Sequence, residues 1–290
     1  MRRSLIALAL LAGCGQVLGQ STATGVSQTG RFVWSVDEET FGGLSAIELS
    51  ADGSRYLALS DRGTIWSGTI ERRGNAITAL TVDASRVLRM SDGALVGPGT
   101  SDSEGLALAP DGTAFVSFEG PARVVAYGDL SGPGQPLPRD PAFERMQPNS
   151  ALEALAIGPD GALYTLPERS GRAQRPYPVY RLADGAWSIP FRIPRDGAFL
   201  PVGADIGPDG LFYLLERDFT GIGFRSRVRR FDLTGAKVET LLQTRTGVHD
   251  NLEGISVWRD DAGDLRMTLI ADDNFKFFQT TEIVEYRVAD

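Results

Sequence analysis

The chain has 290 residues, 42% of them hydrophobic, with 34 glycines and 16 prolines. That length can bury a large core, while so much glycine and proline argues against a helical protein. Acids outnumber bases by 37 to 29 and no basic stripe is present, which argues against a general nucleic-acid binder.

The first residues read as a targeting segment. Arg2 and Arg3 precede the apolar run Ser4 to Leu11, and Leu11-Ala12-Gly13-Cys14 matches a bacterial lipobox, in which the only cysteine, Cys14, is lipidated. The run is well short of the roughly 20 residues that span a bilayer, so the expected membrane contact is the lipid anchor alone. Cleavage after Val17-Leu18-Gly19 is the alternative and would release a soluble protein. Residues 1–19 are thus expected to be a leader and residues 20–30 a small, polar tether. The chain is expected to be exported, as a periplasmic or outer-membrane lipoprotein or as a secreted protein. With no second cysteine, it must be held by its core.

Residues 31–290 read as one all-β domain. Arg31-Phe32-Val33-Trp34-Ser35-Val36 predicts a strand with no local partner. A hairpin pattern then recurs: Ser103-Glu104-Gly105-Leu106-Ala107-Leu108, a Pro110-Asp111-Gly112 turn, and Thr113-Ala114-Phe115-Val116-Ser117-Phe118-Glu119. The copy from Leu152-Glu153 through Pro159-Asp160-Gly161 to Glu168 keeps the same acid-to-acid interval of 15 residues. A third copy around Pro208-Asp209-Gly210 has Val202 in the first acid position and ends at Glu216. Looser copies run from Ser45 to Asp61 and from Glu253 to Asp272. The copies start at Ser45, Glu104, Glu153, Val202 and Glu253, at intervals of 59, 49, 49 and 51 residues.

Repeats of this length made of short strands predict a β-propeller with a four-stranded blade per repeat. Third strands are expected at Thr64 to Ile70, Arg123 to Tyr127, Val179 to Leu182, Arg227 to Asp232 and Thr281 to Val288, and fourth strands at Ile77 to Val82, Trp187 to Ile193 and Ala236 to Leu242. The last repeat runs out of chain after three strands, so the N-terminal strand is expected to complete it and close the ring. The count is five blades, with six if the longest interval hides a degenerate one. Ser131 to Pro138 reads as a surface loop, and Arg169 to Pro178 and Arg217 to Ser226 as long loops.

Antiparallel pairing brings the first and second acids of each hairpin to one edge of the sheet, on the innermost strands. Asp61, Glu104, Glu119, Glu153, Glu168, Glu216, Glu253, Asp272 and Asp273 are therefore expected to ring one mouth of the central channel. So many carboxylates repel unless hard cations or arginines neutralise them, and calcium, which takes 6–8 oxygen ligands, suits such a ring. Arg62, Arg169, Arg217 and Lys276 lie in loops on the same face and could hold an anionic substrate. His249, the only histidine, is a candidate base beside Glu104 and Glu153 as candidate catalytic acids. Phe275, Phe277 and Phe278 around Lys276 are expected to pack under the last loop, the alternative being that they wall a pocket. No nucleophile elbow, phosphate-cradling loop, zinc cluster or dinucleotide fingerprint is present.

The order Phe41-Gly42-Gly43-Leu44-Ser45, Leu59-Ser60-Asp61-Arg62, Ser103-Glu104-Gly105-Leu106-Ala107, Phe118-Glu119-Gly120, Leu152-Glu153-Ala154-Leu155, Leu215-Glu216-Arg217, Asn251-Leu252-Glu253-Gly254 and Ala271-Asp272-Asp273-Asn274-Phe275 resembles the bacterial phytase-like domain family, known for "esterase-like activity of phytase". The resemblance covers about residues 31 to 288. It implies a propeller, export, and a distant relation to calcium-dependent phytases, which hydrolyse phosphate monoesters. Two departures stand beside it: Val202 interrupts the first acids, and Lys237 and Lys276 are the only lysines. The expected function is a calcium-dependent hydrolase of a phosphate ester or related anionic ester, with a small anionic substrate, acting as a monomer. A non-catalytic calcium-stabilised binding propeller and a lactonase-like hydrolase are the alternatives.

Overall fold

Short apolar runs stopped by Pro-Asp-Gly fold back on themselves because the aspartate carboxylate caps the turn. In the three regular copies Asp111, Asp160 and Asp209 accept the backbone N–H two residues on, and Gly112 takes the positive φ of 89° that closes the hairpin. The computed structural model describes residues 22–23, 25–97 and 102–289; the leader with Arg2, Arg3 and Cys14 lies outside the described residues.

Strand β1 is Thr22–Ala23 and β2 is Val26–Val33. Blade one is β3 (Leu44–Leu49), β4 (Arg55–Ser60), β5 (Thr64–Arg73) and β6 (Ala76–Val87). Blade two is β7 (Ser103–Leu108), β8 (Ala114–Phe118), β9 (Arg123–Tyr127) and the short β10 (Gln135–Pro136), which lies in the stretch expected as a loop. Blade three is β11 (Leu152–Ile157), β12 (Leu163–Pro167), β13 (Tyr177–Ala183) and β14 (Ala186–Ile193). Blade four is β15 (Leu200–Ile206), β16 (Phe212–Phe219), β17 (Phe224–Phe231) and β18 (Val238–Gln243), with β1 added outside β18. Blade five is β19 (Asn251–Arg259), β20 (Leu265–Asp272) and β21 (Glu282–Val288), with β2 paired to β21 as its fourth strand. The protein is a five-bladed, all-β propeller, and among the described residues the only helical element is a single 3₁₀ turn at Phe143–Arg145.

Strand β2 closes the ring by joining the chain's start to its end, and it begins five residues before Arg31, within the stretch expected as a tether. Its exposed edge position explains the miss: an outermost strand buries little, so Ser27, Gln28 and Thr29 can be polar there. The expected loop from Arg217 to Ser226 is also mostly strand. The β16–β17 ladder continues to Phe219 opposite Phe224, so this hairpin projects beyond the other blades, braced by Arg225 against Asp218 at 2.7 Å.

The core consists of five apolar layers, one between each pair of adjacent blades. For example, Val202, Tyr213 and Leu215 of blade four meet Leu252, Ile255 and Leu269 of blade five, and Trp34, Leu44 and Trp66 meet Trp258 and Ile270 where blades one and five join. The inner strands β3, β7, β11, β15 and β19 form a continuous ring of neighbours. They approach closely because the residue after the first acid position is small in every copy: Ala46, Gly105, Ala154, Gly203 and Gly254. At Gly203 a side chain would meet the Glu253 carbonyl oxygen of the next blade at 2.3 Å, so no larger residue fits without moving backbone.

Candidate functional site: an acid-lined mouth

Each first-position residue sits on a β-bulge. The ladder register slips at Ser45, at Glu104 with Gly105, and at Glu153, Val202 and Glu253. A bulge turns a side chain out of the regular alternation, and here it aims the acid at the channel mouth instead of the inter-blade layer. Just beneath, Ser45, Leu106, Leu155, Val202 and Ile255 enclose a cavity of only about 10 Å³, which holds one water at most. The acids therefore stand on a closed floor.

The second acids follow from the same register. Leu44, Ser103, Leu152, Pro201 and Leu252 pair with Ser60, Phe118, Pro167, Glu216 and Ala271, so the next residues, Asp61, Glu119, Glu168, Arg217 and Asp272, are structurally equivalent. Blade four therefore presents an arginine where the others present an acid. Glu216 was expected in the ring, but it is one residue too early and faces the opposite side. It is fully buried, with its carboxylate taken by Arg227 (2.8 Å) and Arg229 (2.6 and 2.7 Å).

Seven of the nine expected carboxylates converge: Asp61, Glu104, Glu119, Glu153, Glu168, Glu253 and Asp272. Arg217 stands among them. It bonds the Asn251 side-chain oxygen at 2.8 Å, contacts Glu253 more closely still, and lies 3.7 Å from Glu168. Burial opposes its charge, yet Glu253, Glu153, Glu168 and Glu104 hold it more firmly protonated than a free arginine. Asn251 donates its amide to Glu253 (2.8 Å) and Asp272 (3.4 Å). One guanidinium cannot neutralise seven acids, and the remainder are shifted accordingly. Burial first, then repulsion from Glu253 and Asp61, raises Asp272 to about 8. Burial also raises Glu119 to about 7, against the hydrogen bond it accepts from Ala151 N–H, and Asp61 to about 6. Glu104 and Glu153 are pushed well above the carboxylate range by burial and then by their acidic neighbours.

The other expected site residues fall at the rim or outside it. Asp273 is occupied in tying the loop before blade one to blade five: it accepts the N–H groups of Gly43 and Phe275, both at 3.0 Å, and the Thr281 hydroxyl at 3.0 Å. It is a loop staple, not a free ligand. Arg62 is exposed and stacks on Phe275 at 3.4 Å from the ring centroid, and Arg169 is half-exposed beside Glu168 and Ser150. His249 does not join Glu104 and Glu153. It is buried in blade five with its Nε2 2.7 Å from the Tyr286 hydroxyl and its Nδ1 3.5 Å from Glu282. Phe275 packs as expected, but Phe277 and Phe278 are exposed because the loop turns them outward.

Among the described residues no three carboxylate, histidine or cysteine side chains are disposed as a ready ligand set for a metal ion. Arg217 holds several of the acids instead. The donor chemistry nonetheless fits a hard cation: the side chains are oxygen donors, they carry excess negative charge, and Asp61 Oδ1 is buried with no hydrogen-bond partner.

The chain is similar in fold to several solved structures. A calcium-binding protein, regucalcin, from Agrobacterium tumefaciens str. C58 aligns with a TM-score of 0.51 at 12% identity, over 85% of this chain and 91% of that one. An α-L-arabinofuranosidase from Podospora anserina gives 0.49 at 13% identity over 90% and 96%, and a gluconolactonase from Xanthomonas campestris 0.44 at 14% over 83% and 71%. At these identities the likeness is one of fold alone. No curated protein matches the chain. The phytase-like family described as "esterase-like activity of phytase" matches residues 39–275, which take in blades one to four, the two inner strands of blade five and every acid of the mouth, and the chain belongs to that family.

Proposed function

We propose that the acid-lined mouth binds calcium and hydrolyses a phosphate ester or a related small anionic ester. The observation that carries this is the convergence of seven carboxylates on one closed floor with only Arg217 among them and Arg169 and Arg62 at the rim, an imbalance that a divalent cation would relieve. Asp61 and Asp272, with Glu119 and Glu153, have the oxygens best suited to hold it, since Glu253 and Glu168 are engaged by Arg217 and Arg169. When bound, calcium would supply the positive charge that draws an anionic ester into a negative site.

The chain's own residues supply the rest. Arg62, its guanidinium fixed over Phe275, and Arg169 stand at the rim to hold the anion, and Arg217 orients Glu253 from within. Glu104, left out of the calcium set and held protonated by its burial, can hand a proton to the departing alcohol as water adds to the ester. His249 takes no part. In this reading the protein acts as an exported monomer, either anchored through Cys14 or released after Gly19.

The test is calcium titration of metal-free protein, followed by both melting temperature and product release from a phosphomonoester. Calcium-dependent turnover is expected, falling by about 10²-fold or more in Glu104→Gln. A rise in melting temperature without turnover of any phosphoester or lactone would instead identify a calcium-stabilised binding module. Neither response would end the metal reading.

A further inference from the structure

Beside the mouth, on the same face, lies a cavity of about 700 Å³ between the projecting hairpin of blade four and the last loop of blade five. Its walls are Phe219, Ile222, Phe224, Val248 and Phe278, and Lys276 stands at its edge. That volume lies within the range of small-molecule sites. The same short segments border both places. Asp250 lines the cavity while the adjacent Asn251 bonds Arg217, Glu253 and Asp272; Lys276 lines it while its N–H is held by the carbonyl of Asp273, next to Asp272. Lys276 makes no ion pair among the described residues, whereas Arg31, the other cation at the cavity, is taken by Glu282. In a chain of net charge −8, an unpaired ammonium beside aromatic walls selects an anion that also carries apolar bulk.

We infer that this cavity is the subsite for the alcohol portion of the ester, and that the preferred substrate is an anionic ester of an aromatic or similarly apolar alcohol. The inference rests on the hydrolase reading above: the ester's anionic end lies at the acids and arginines, and its apolar end between Phe278 and Ile222. The extension of the β16–β17 ladder to Phe219 and Phe224 then has a purpose, because it builds the wall that the shorter blades lack.

The experiment compares 1-naphthyl phosphate with glycerol 2-phosphate as calcium-dependent substrates, and titrates a non-hydrolysable naphthylmethylphosphonate onto the full chain. Ile222 and Phe278 are 85% and 68% exposed, so Ile222→Asp and Phe278→Ala are expected to keep the wild-type melting temperature, which is checked first. Wild type is expected to show at least a tenfold lower KM for the naphthyl ester. Each variant is expected to raise naphthyl KM and weaken phosphonate binding about tenfold, with a clearly smaller loss of kcat/KM for the glycerol ester, whose polar alcohol gains little from the apolar walls, and Phe278→Leu retaining most of the preference. Equal losses on both esters, or variants that bind the phosphonate like wild type, would overturn the assignment. If neither ester is hydrolysed, the hydrolase reading fails on its own, and the phosphonate titration still decides whether the cavity binds an aromatic anion.

Discussion

Glu216→Leu is expected to lower the melting temperature by roughly 10 °C, corresponding to about 3–5 kcal/mol for breaking a buried ion pair from one side. The cost comes from what remains. Arg227 and Arg229 have side chains only 3% exposed, and Glu216 accepts three of their hydrogen bonds. Without it, Arg227 keeps Asp196 at 2.8 Å, whereas Arg229 keeps only the Pro194 carbonyl at 3.2 Å. Removing the orphaned charge should restore much of the loss, so Glu216→Leu combined with Arg229→Met is expected to be more stable than the single variant. Thermal unfolding of the two proteins measures this. A drop equivalent to less than about 1 kcal/mol in the single variant would mean that the cluster is solvated. Because Glu216 faces away from the mouth, its loss is expected to leave calcium-dependent turnover unchanged, unlike a change at Glu104.

Arg217→Met is expected to have an effect of similar size, but one that depends on pH. Asp61, Glu119 and Asp272 have folded pKa values raised to about 6, 7 and 8. A carboxyl with a raised pKa contributes stability that is complete below its unfolded value near 4 and is lost as pH rises through the folded value. Metal-free wild type should therefore lose stability steadily between about pH 5 and pH 8. Arg217 opposes that loss, since it pulls down the pKa values of Glu104, Glu153 and Glu253. Its removal should cost less at pH 5, where Asp61, Glu119 and Asp272 are mostly neutral, than at pH 8, where they must charge without it and the cost is about 3–5 kcal/mol. Unfolding measured in chelator across this window checks the sign. Equal destabilisation at both ends would show that Arg217 acts by packing alone. Calcium should recover more stability at pH 8 than at pH 5, because its ligands must be deprotonated.

How far the site could be read in advance is clearest at blade four. The hairpin repeat, its turns and its period are local patterns, and they were sufficient to place the inner strands and to put acids at one mouth. The sequence also held the correct partner for Val202: fifteen residues on, the interval kept by Glu104 to Glu119 and Glu153 to Glu168, stands Arg217 and not Glu216. Matching residue type over spacing selected the wrong neighbour. A one-residue slip in a strand reverses the face, so Glu216 went to the inter-blade layer and Arg217 to the acids.

The other differences had no local signal. His249 and Asp273 looked like site residues because they neighbour acids in sequence, but their partners, Tyr286 and Glu282 for one and Gly43 and Thr281 for the other, are brought in by blade closure. Blade closure likewise supplies the partners of Glu48 and Asp205, two buried acids on inner strands β3 and β15 that no sequence pattern singled out. Burial raises both, Asp205 to about 7, and they meet Ser256 and Val257 of blade five.

The amino-acid order alone determined the hairpin repeat and the edge at which the carboxylates gather, because each depends on contacts within some twenty residues of chain; the choice of five blades over six was made by the tertiary structure, through the pairing of β2 with β21. Tertiary structure alone decided which charges neutralise which, that the floor is closed, and that an apolar chamber adjoins the acids. Those depend on side chains from different blades meeting, and on burial, which sets the energy of a charge and has no counterpart in a linear pattern.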